Sequence, residues 1–161
     1  VTPDGKETEI LHTDQFKREG GRGKFYFKPF QESKEITRYK GPEYPFILTT
    51  NRNLQHYNCG TMTRRTRNNQ IVEEDLLWIN PVDTNEHHIA DGDLVCVSSP
   101  RGKVDIRAHV TDGVKPGILS ATFHFPEIQL NELTSSETDS EALCPEYKVV
   151  SVSVRKARGQ R

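Results

Sequence analysis

Short apolar stretches, separated by turn residues, dominate the chain from about residue 44 onward. The clearest pattern runs over 104–110, where every second residue is apolar, which predicts a strand with one buried face. Similar runs predict further strands at 46–50, 94–98, 118–125 and 150–154, and the alternation recurs in the last of them. Short strands at this close spacing predict a mainly β fold, a barrel with a few short helices.

The sequence also predicts one short helix and one further strand near the N-terminus. Asn80 is a favourable N-cap and Pro81 a favourable first helical residue, which predicts a short helix ending near His87. Phe25 and Phe27 alternate with polar residues inside an otherwise polar, glycine-rich stretch, which favours a single half-buried strand. We therefore expect an N-terminal polar arm or linker at 1–43, a barrel domain at 44–155 and a C-terminal tail at 156–161.

Composition and charge exclude several classes of protein. No apolar run approaches the ~20 residues that cross a bilayer, and the three cysteines form no CxxC pair, which argues against a disulfide scaffold or a zinc ribbon. The formal net charge of −1 argues against a dedicated nucleic-acid-binding protein. The chain begins at Val1 and its only methionine is Met62. We expect either a trimmed initiator methionine or a piece of a longer protein.

A polar segment at 49–60 directly follows the first predicted barrel strand. It presents a guanidinium, several amides, an imidazole and a phenol within twelve residues. Arginine donates bidentate hydrogen bonds to phosphate, and amides complement the edges of flat heterocycles. From the residues alone, a nucleotide-binding loop and an ordinary polar loop both remain open.

Two other clusters have simpler interpretations. Residues 63–67 are basic but are followed by three acids at 73–75, which favours a solvated or internally paired surface over a phosphate-tracking one. His56 and Cys59 have the spacing of half a metal site, but nothing supplies a second half, so we expect no metal bound by this chain alone. Cys96 lies inside an apolar strand and is expected in the core.

A set of short motifs follows in order along the chain, at 21–25, 44–50, 79–83, 89–93, 114–117, 122–125, 131–134 and 145–148. Together these motifs resemble the C-terminal dinucleotide-binding domain of the molybdopterin oxidoreductase (DMSO reductase) family. Asn51-Arg52, followed by 56–60 and 63–66, is most similar to the catalytic (alpha) subunits of formate dehydrogenases. The resemblance covers roughly residues 15–155.

The resemblance implies a six-stranded double-psi β-barrel that forms the last domain of a larger subunit. In that family, two molybdopterin guanine dinucleotides hold molybdenum or tungsten, other domains contribute the metal ligand and an iron–sulfur cluster, and formate is oxidised to carbon dioxide. No catalytic residue or metal ligand is then expected in this chain. The implied cofactor-binding residues are Thr50, Arg52, Asn53, His56, Asn58, His124, Asn131, Tyr147 and Lys148.

Two positions depart from the family pattern. His88 stands where a glycine is usual at the end of a short helix, so a left-handed histidine is expected there. Phe123 stands where some relatives have tyrosine, so a hydrogen bond from that side chain is absent.

The implied partners are the other domains of the parent subunit and electron-transfer subunits, with no nucleic acid and no membrane contact by this chain. The expected location is cytoplasmic, or periplasmic if the parent carries an export signal. Alternatives are a nitrate reductase domain, a stand-alone small subunit of a related molybdenum or tungsten enzyme, and a β-barrel module that binds nucleic acid or protein through Arg64, Arg65 and Arg67.

Overall fold

The predicted apolar runs pair with one another into a closed barrel. A computed structural model describes residues 5–7, 12, 15–139 and 141–157 of the chain. Within those residues, six strands close in the spatial order β1-β5-β2-β4-β3-β6. The strands are β1 (Phe46–Thr50), β2 (Leu76–Ile79), β3 (Leu94–Ser98), β4 (Lys103–Val110), β5 (Ile118–Ala121) and β6 (Val150–Lys156), and the α-helices are α1 (Lys34–Tyr39) and α2 (Pro81–Glu86).

The barrel mixes parallel and antiparallel neighbours. β1 runs parallel to β5, with Thr50 beside Ala121, and β2 runs parallel to β4. β6 is antiparallel to both β1 and β3, and β2 is antiparallel to β5. The ends of β1 and β5 therefore leave the barrel at the same rim as the starts of β2 and β6. This rim is called the site rim below.

Apolar side chains on neighbouring strands fill the barrel in rungs. Leu48 is paired with Leu119 on one side and Val150 on the other, and all three are completely buried. Burying a leucine or valine of this kind contributes about 1.5–3 kcal/mol to the free energy of unfolding. The predicted core position of Cys96 is confirmed, since the residue is 4% exposed.

The helix predicted after Asn80 is confirmed. The Asn80 side chain accepts a hydrogen bond from the Val82 N–H, and Pro81 is the first helical residue. His88, just past the helix end, has φ 54°. A histidine thus adopts the left-handed conformation expected at this position, where the family usually has glycine. Among the described residues, no helix has the length and apolar character needed to cross a membrane.

Beyond residue 32, the secondary structure differs from the prediction in three details. The strand predicted at 118–125 ends at Ala121, because the segment after it bonds to side chains instead of a neighbouring strand. Neither β2 nor α1 was predicted from the sequence. β2 is a four-residue apolar run without alternation, and α1 is a polar helix held by its capping serine, Ser33, and by side-chain contacts far along the chain.

The chain divides into two compact units, Val1–Gln31 and Glu32–Arg161. In the first unit, the strand predicted at 24–28 is absent from the described residues, and Phe25 and Phe27 are almost completely exposed. An extended segment is a strand only where a neighbour completes its hydrogen bonds, and the described part of this unit supplies none. The second unit includes α1, which packs against β6. The boundaries expected at 43 and 155, and the double-psi label, stay predictions.

Candidate functional site

Four segments meet at the site rim, and strand direction explains why. The chain leaves β1 into the loop 51–60 and leaves β5 into the segment 122–125. Asn51 extends the parallel pairing by one bond, its N–H donating to the carbonyl of Ala121 at 2.8 Å. Residues just before β2 and β6 arrive at the same rim, and there the Lys148 ammonium donates to the Thr50 carbonyl. Residues far apart in sequence are thereby brought around one depression.

That depression is a cleft of about 310 Å³, called the polar cleft. Arg52 and Lys148 bring two cations to it, and no carboxylate is among its lining residues. Phe123 and Tyr147 form an edge-to-face aromatic pair in its wall, with ring centroids 5.6 Å apart. The lining consists of Thr50, Asn51, Arg52, Asn58, Cys59, Phe123, His124, Asn131, Tyr147 and Lys148.

A second depression adjoins the first and shares Asn51 and Arg52 with it. It has a volume of about 430 Å³ and is called the Trp78 cleft. Its wall contains the indole of Trp78, which stands edge-to-face against His109 with ring centroids 5.9 Å apart. The remaining lining residues are Asn53, Leu54, Gln55, Val72, Glu74, Asp75, Leu76 and Thr122.

Asn51 carries an unsatisfied polar atom between the two clefts. Its side-chain oxygen Oδ1 is buried and has no hydrogen-bond partner within the described residues. A buried acceptor without a donor costs about 1–3 kcal/mol, so such atoms ordinarily mark the place of a missing partner. An N–H group of a bound heterocycle would satisfy it. The residues present therefore fit a ligand that has both an anionic group and a flat polar ring.

The loop 51–60 is held in place by an imidazole. His124 is 1% exposed; its Nδ1–H donates to the carbonyl of Asn58, and its Nε2 accepts the N–H of Asn53 at 3.2 Å. Because one nitrogen faces an acceptor and the other a donor, the arrangement assigns a neutral ring with the proton on Nδ1. Arg52 Nη1 then donates to Asn58 Oδ1 at 2.9 Å. The guanidinium is thus fixed at the wall shared by both clefts.

His56 supports the same loop from beneath. It is 5% exposed, its Nε2 lies 2.8 Å from the Val72 carbonyl and its Nδ1 lies 3.0 Å from the Thr63 hydroxyl. Since a carbonyl only accepts, Nε2 carries a proton and donates it to Val72, while Nδ1 is hydrogen-bonded to the Thr63 hydroxyl. Both ring nitrogens are therefore occupied within the chain.

Asp75 lies behind the site rim as a buried carboxylate. It is 1% exposed and accepts hydrogen bonds from the Thr122 hydroxyl and from the Phe125 N–H, the latter at 3.2 Å. Burial raises the pKa of Asp75, and the two hydrogen bonds partly oppose that rise.

The basic segment 63–67 is partly paired within the chain. Arg64 makes a bidentate ion pair with Glu127, at 2.6 and 3.0 Å, and lies over the ring of Phe125 at 4.7 Å. This pairing holds the pKa of Glu127 below its usual range. Arg65 and Arg67 are exposed. In the described part of the chain, no group of three or more His, Cys, Asp or Glu side chains is placed to hold a metal ion.

Of the nine residues expected to bind a cofactor, the structure brings seven to the polar cleft. Asn53 instead lines the Trp78 cleft, and His56 lies beneath the loop outside both linings. The other three residues of the polar cleft, Asn51, Cys59 and Phe123, were not among the nine, and neither was Asp75. Asn51 had a usable signal, since it immediately follows β1 and stands between two expected residues, whereas Asp75 precedes a strand that was not predicted.

Comparisons with known proteins identify the family of this chain. The family described as "Molydopterin dinucleotide binding domain" matches residues 46–151. Two relatives are F420-dependent formate dehydrogenase alpha subunits. One from Methanocaldococcus jannaschii is 41% identical over 92% of this chain, and the alpha subunit of formate dehydrogenase 2 from Methanococcus maripaludis is 40% identical over 96%. A periplasmic nitrate reductase from Desulfovibrio desulfuricans is more distant, at 31% over 91%.

The chain spans only 22%, 23% and 20% of these three relatives. Among solved structures, acetylene hydratase from Pelobacter acetylenicus superposes with a TM-score of 0.66 at 14% identity, over 83% of this chain and 21% of that one. That likeness supports the barrel architecture alone. The match at 46–151 covers β1 to β5 and the first two residues of β6. The chain therefore belongs to the molybdopterin dinucleotide-binding domain family.

Proposed function

We propose that this chain is the molybdopterin guanine dinucleotide-binding domain of a formate dehydrogenase catalytic subunit. The observation that carries the proposal is the polar cleft: two cations, no carboxylate among its lining residues, an aromatic pair and an unpaired Asn51 oxygen at one rim. A pyrophosphate and a pterin ring match these groups in charge and in hydrogen-bonding character. The similarity to two formate dehydrogenase alpha subunits at about 40% identity favours this enzyme over a nitrate reductase.

Each cleft residue has a proposed role. Arg52 and Lys148 bind the pyrophosphate, Asn51 accepts from a ring N–H, and the Phe123–Tyr147 pair covers a ring face. A charge-assisted hydrogen bond of this kind contributes about 1.5–3 kcal/mol. The remaining expected residues extend this wall or support it: Thr50, Asn53, His56, Asn58, His124 and Asn131.

In the intact enzyme, the bound cofactor supplies the molybdenum or tungsten at which formate loses two electrons and a proton to become carbon dioxide. This chain orients the cofactor and excludes water from one side of it. We propose that the metal ligand and an iron–sulfur cluster belong to other domains of the parent, so that the isolated chain is inactive. The proposed partners are those domains and electron-transfer subunits, and the proposed location is cytoplasmic.

A titration of the isotopically labelled chain with guanosine diphosphate tests the proposal. We expect weak binding, with backbone amide shifts centred on Arg52, Asn131 and Tyr147. Arg52→Ala should weaken binding by about tenfold, the loss of one charge-assisted contact. Arg155→Ala removes the same charge from an exposed position outside both clefts and should leave binding unchanged.

Two results would contradict the proposal. The first is the absence of amide shifts at the polar cleft at saturating nucleotide. The second is a response only to single-stranded nucleic acid, centred on 64–67, which would favour the nucleic-acid alternative. In the full-length enzyme, Arg52→Ala should lower cofactor occupancy, and normal occupancy would remove Arg52 from the site.

A further inference from the structure

A buried carboxylate lies two contacts away from the polar cleft. Asp75 directly precedes β2 and uses both of its oxygens: Oδ1 accepts from the Thr122 hydroxyl, and Oδ2 accepts from the Phe125 N–H at 3.2 Å. These two donors bracket the short segment that follows β5. Since that segment has left the sheet, Asp75 takes the place of a neighbouring strand as its hydrogen-bond partner.

Between those two donors stands His124. With the ends of its segment held, the imidazole bonds to the Asn53 N–H and to the Asn58 carbonyl. Those two groups lie at opposite ends of the turn that contains His56. One ring therefore closes the loop, and its position depends on the backbone that Asp75 holds.

The loop in turn fixes the cationic group of the site. Asn58 has φ 47°, a left-handed conformation that asparagine tolerates, and its side-chain oxygen accepts the Arg52 guanidinium at 2.9 Å. A continuous run of contacts thus joins Asp75 to Arg52 by way of His124 and Asn58. Every link is a hydrogen bond or a single residue of backbone.

We propose that Asp75 is a positioning residue for the cofactor site, holding the segment 122–125 so that His124 closes the loop that presents Arg52. The role in ligand binding rests on the proposed function; the control of His124 does not. A carboxylate suits the task because it accepts from two donors and donates to neither. Asparagine at this position offers one oxygen and turns an N–H₂ group toward the other donor.

The test is Asp75→Asn in the full chain, with Asp83→Asn as the matched control. Asp83 is also a buried carboxylate that accepts a backbone N–H, from Gly117 at 2.9 Å, but it lies on α2 outside both cleft linings. The readouts are the ring ¹⁵N shifts of His124, which report the tautomer, and the dissociation constant for guanosine diphosphate. Neither the ring shifts nor the dissociation constant should change merely because a substitution lowers the overall stability of the chain.

We expect Asp75→Asn to move the His124 ring shifts away from the pattern of a neutral, Nδ1-protonated ring and to weaken nucleotide binding by about tenfold, corresponding to one disturbed buried hydrogen bond. Asp83→Asn should leave both unchanged. A folded Asp75→Asn chain with unaltered His124 shifts and unaltered affinity would overturn the proposal.

Two further outcomes are decisive. If Asp75→Asn does not fold, Thr122→Val removes one donor and keeps the carboxylate; it should shift the His124 ring in the same direction, and an unmoved ring overturns the proposal. If the unaltered chain binds no nucleotide, the proposed function fails, and the His124 ring shifts alone decide the positioning role.

Discussion

The carbonyl oxygen of His124 lies directly against Gly60, where a β-carbon would stand only 2.5 Å from it. The same β-carbon would also lie 2.8 Å from Cδ of Arg64, and Gly60 has φ 69°. The loop that presents Arg52 therefore ends at a point where backbone meets backbone without an intervening side chain. Only glycine satisfies both the conformation and the contact.

Gly60→Ala should destabilise the chain and loosen this loop. The left-handed conformation and the displaced His124 backbone together should lower the free energy of unfolding by about 2–3 kcal/mol. Urea denaturation followed by circular dichroism measures this loss. Gly92→Ala is the control, because Gly92 has φ 81° with open space around it and should lose only about 1 kcal/mol. Equal losses in the two variants would show that the contact with His124 is unimportant.

A second prediction concerns the ion pair beneath the barrel's β3–β4 turn. Glu35 on α1 is 1% exposed; it receives Arg101 through two bonds of 2.7 and 3.1 Å and also accepts the Ser151 N–H at 3.0 Å. Glu35→Gln leaves the guanidinium without its partner and should cost about 3 kcal/mol of unfolding free energy. Lys34→Gln, on the exposed side of α1, should change stability little. An unchanged unfolding free energy in Glu35→Gln would show that the ion pair does not stabilise the chain.

The raised pKa of Asp75 predicts a pH dependence of stability. Because the folded chain holds the proton more tightly than the unfolded chain, the contribution of Asp75 is fully present below the ordinary aspartate pKa and is lost as pH rises through the raised value. The difference in unfolding free energy between the unaltered chain and Asp75→Asn should therefore shrink as pH rises from about 4. Urea denaturation of both chains between about pH 4 and 7 checks this. A constant or growing difference would contradict it.

A fourth prediction concerns Glu127. Its pKa is lowered by the hydrogen bond from Arg64, so the stabilisation from the pair is present above the ordinary glutamate pKa and is lost as pH falls through the lowered value. Arg64→Gln should return the Glu127 pKa toward its usual range, as followed by the side-chain carboxyl ¹³C shift. Arg65→Gln, at the exposed neighbouring position, should leave it lowered. An identical Glu127 titration in both variants would place the cause elsewhere.

Alternation and capping located most of the barrel, because both signals are local. The alternation at 104–110 and the N-cap at Asn80 can each be recognised from residues that are adjacent in sequence. β2 escaped because a run that is apolar on both sides has no period to detect. α1 was not predicted because, beyond its cap at Ser33, it depends on Arg101 and Glu137, which contact it from far along the chain.

The residues of the candidate site likewise divide into those that local motifs identify and those that only long-range contacts identify. The resemblance supplied Arg52, His124 and Lys148, since they lie in recognisable motifs. It did not supply Asp75, whose importance comes only from the antiparallel pairing that brings the start of β2 beside the end of β5. Nor did it distinguish His56, which is fully bonded beneath the loop, from residues that face the cleft.

The position of β6, between β1 and β3, restricts the order in which the barrel strands can pair during folding. Phe46 pairs with Val152, and β6 alone joins β1 to β3. During synthesis, β1 and β3 therefore wait with unpaired edges until β6 leaves the ribosome, and such long-range pairing folds slowly. The cleft acquires Lys148 only at that last step. On the proposed function, a cofactor can meet the complete wall of the cleft only after the whole domain has been translated.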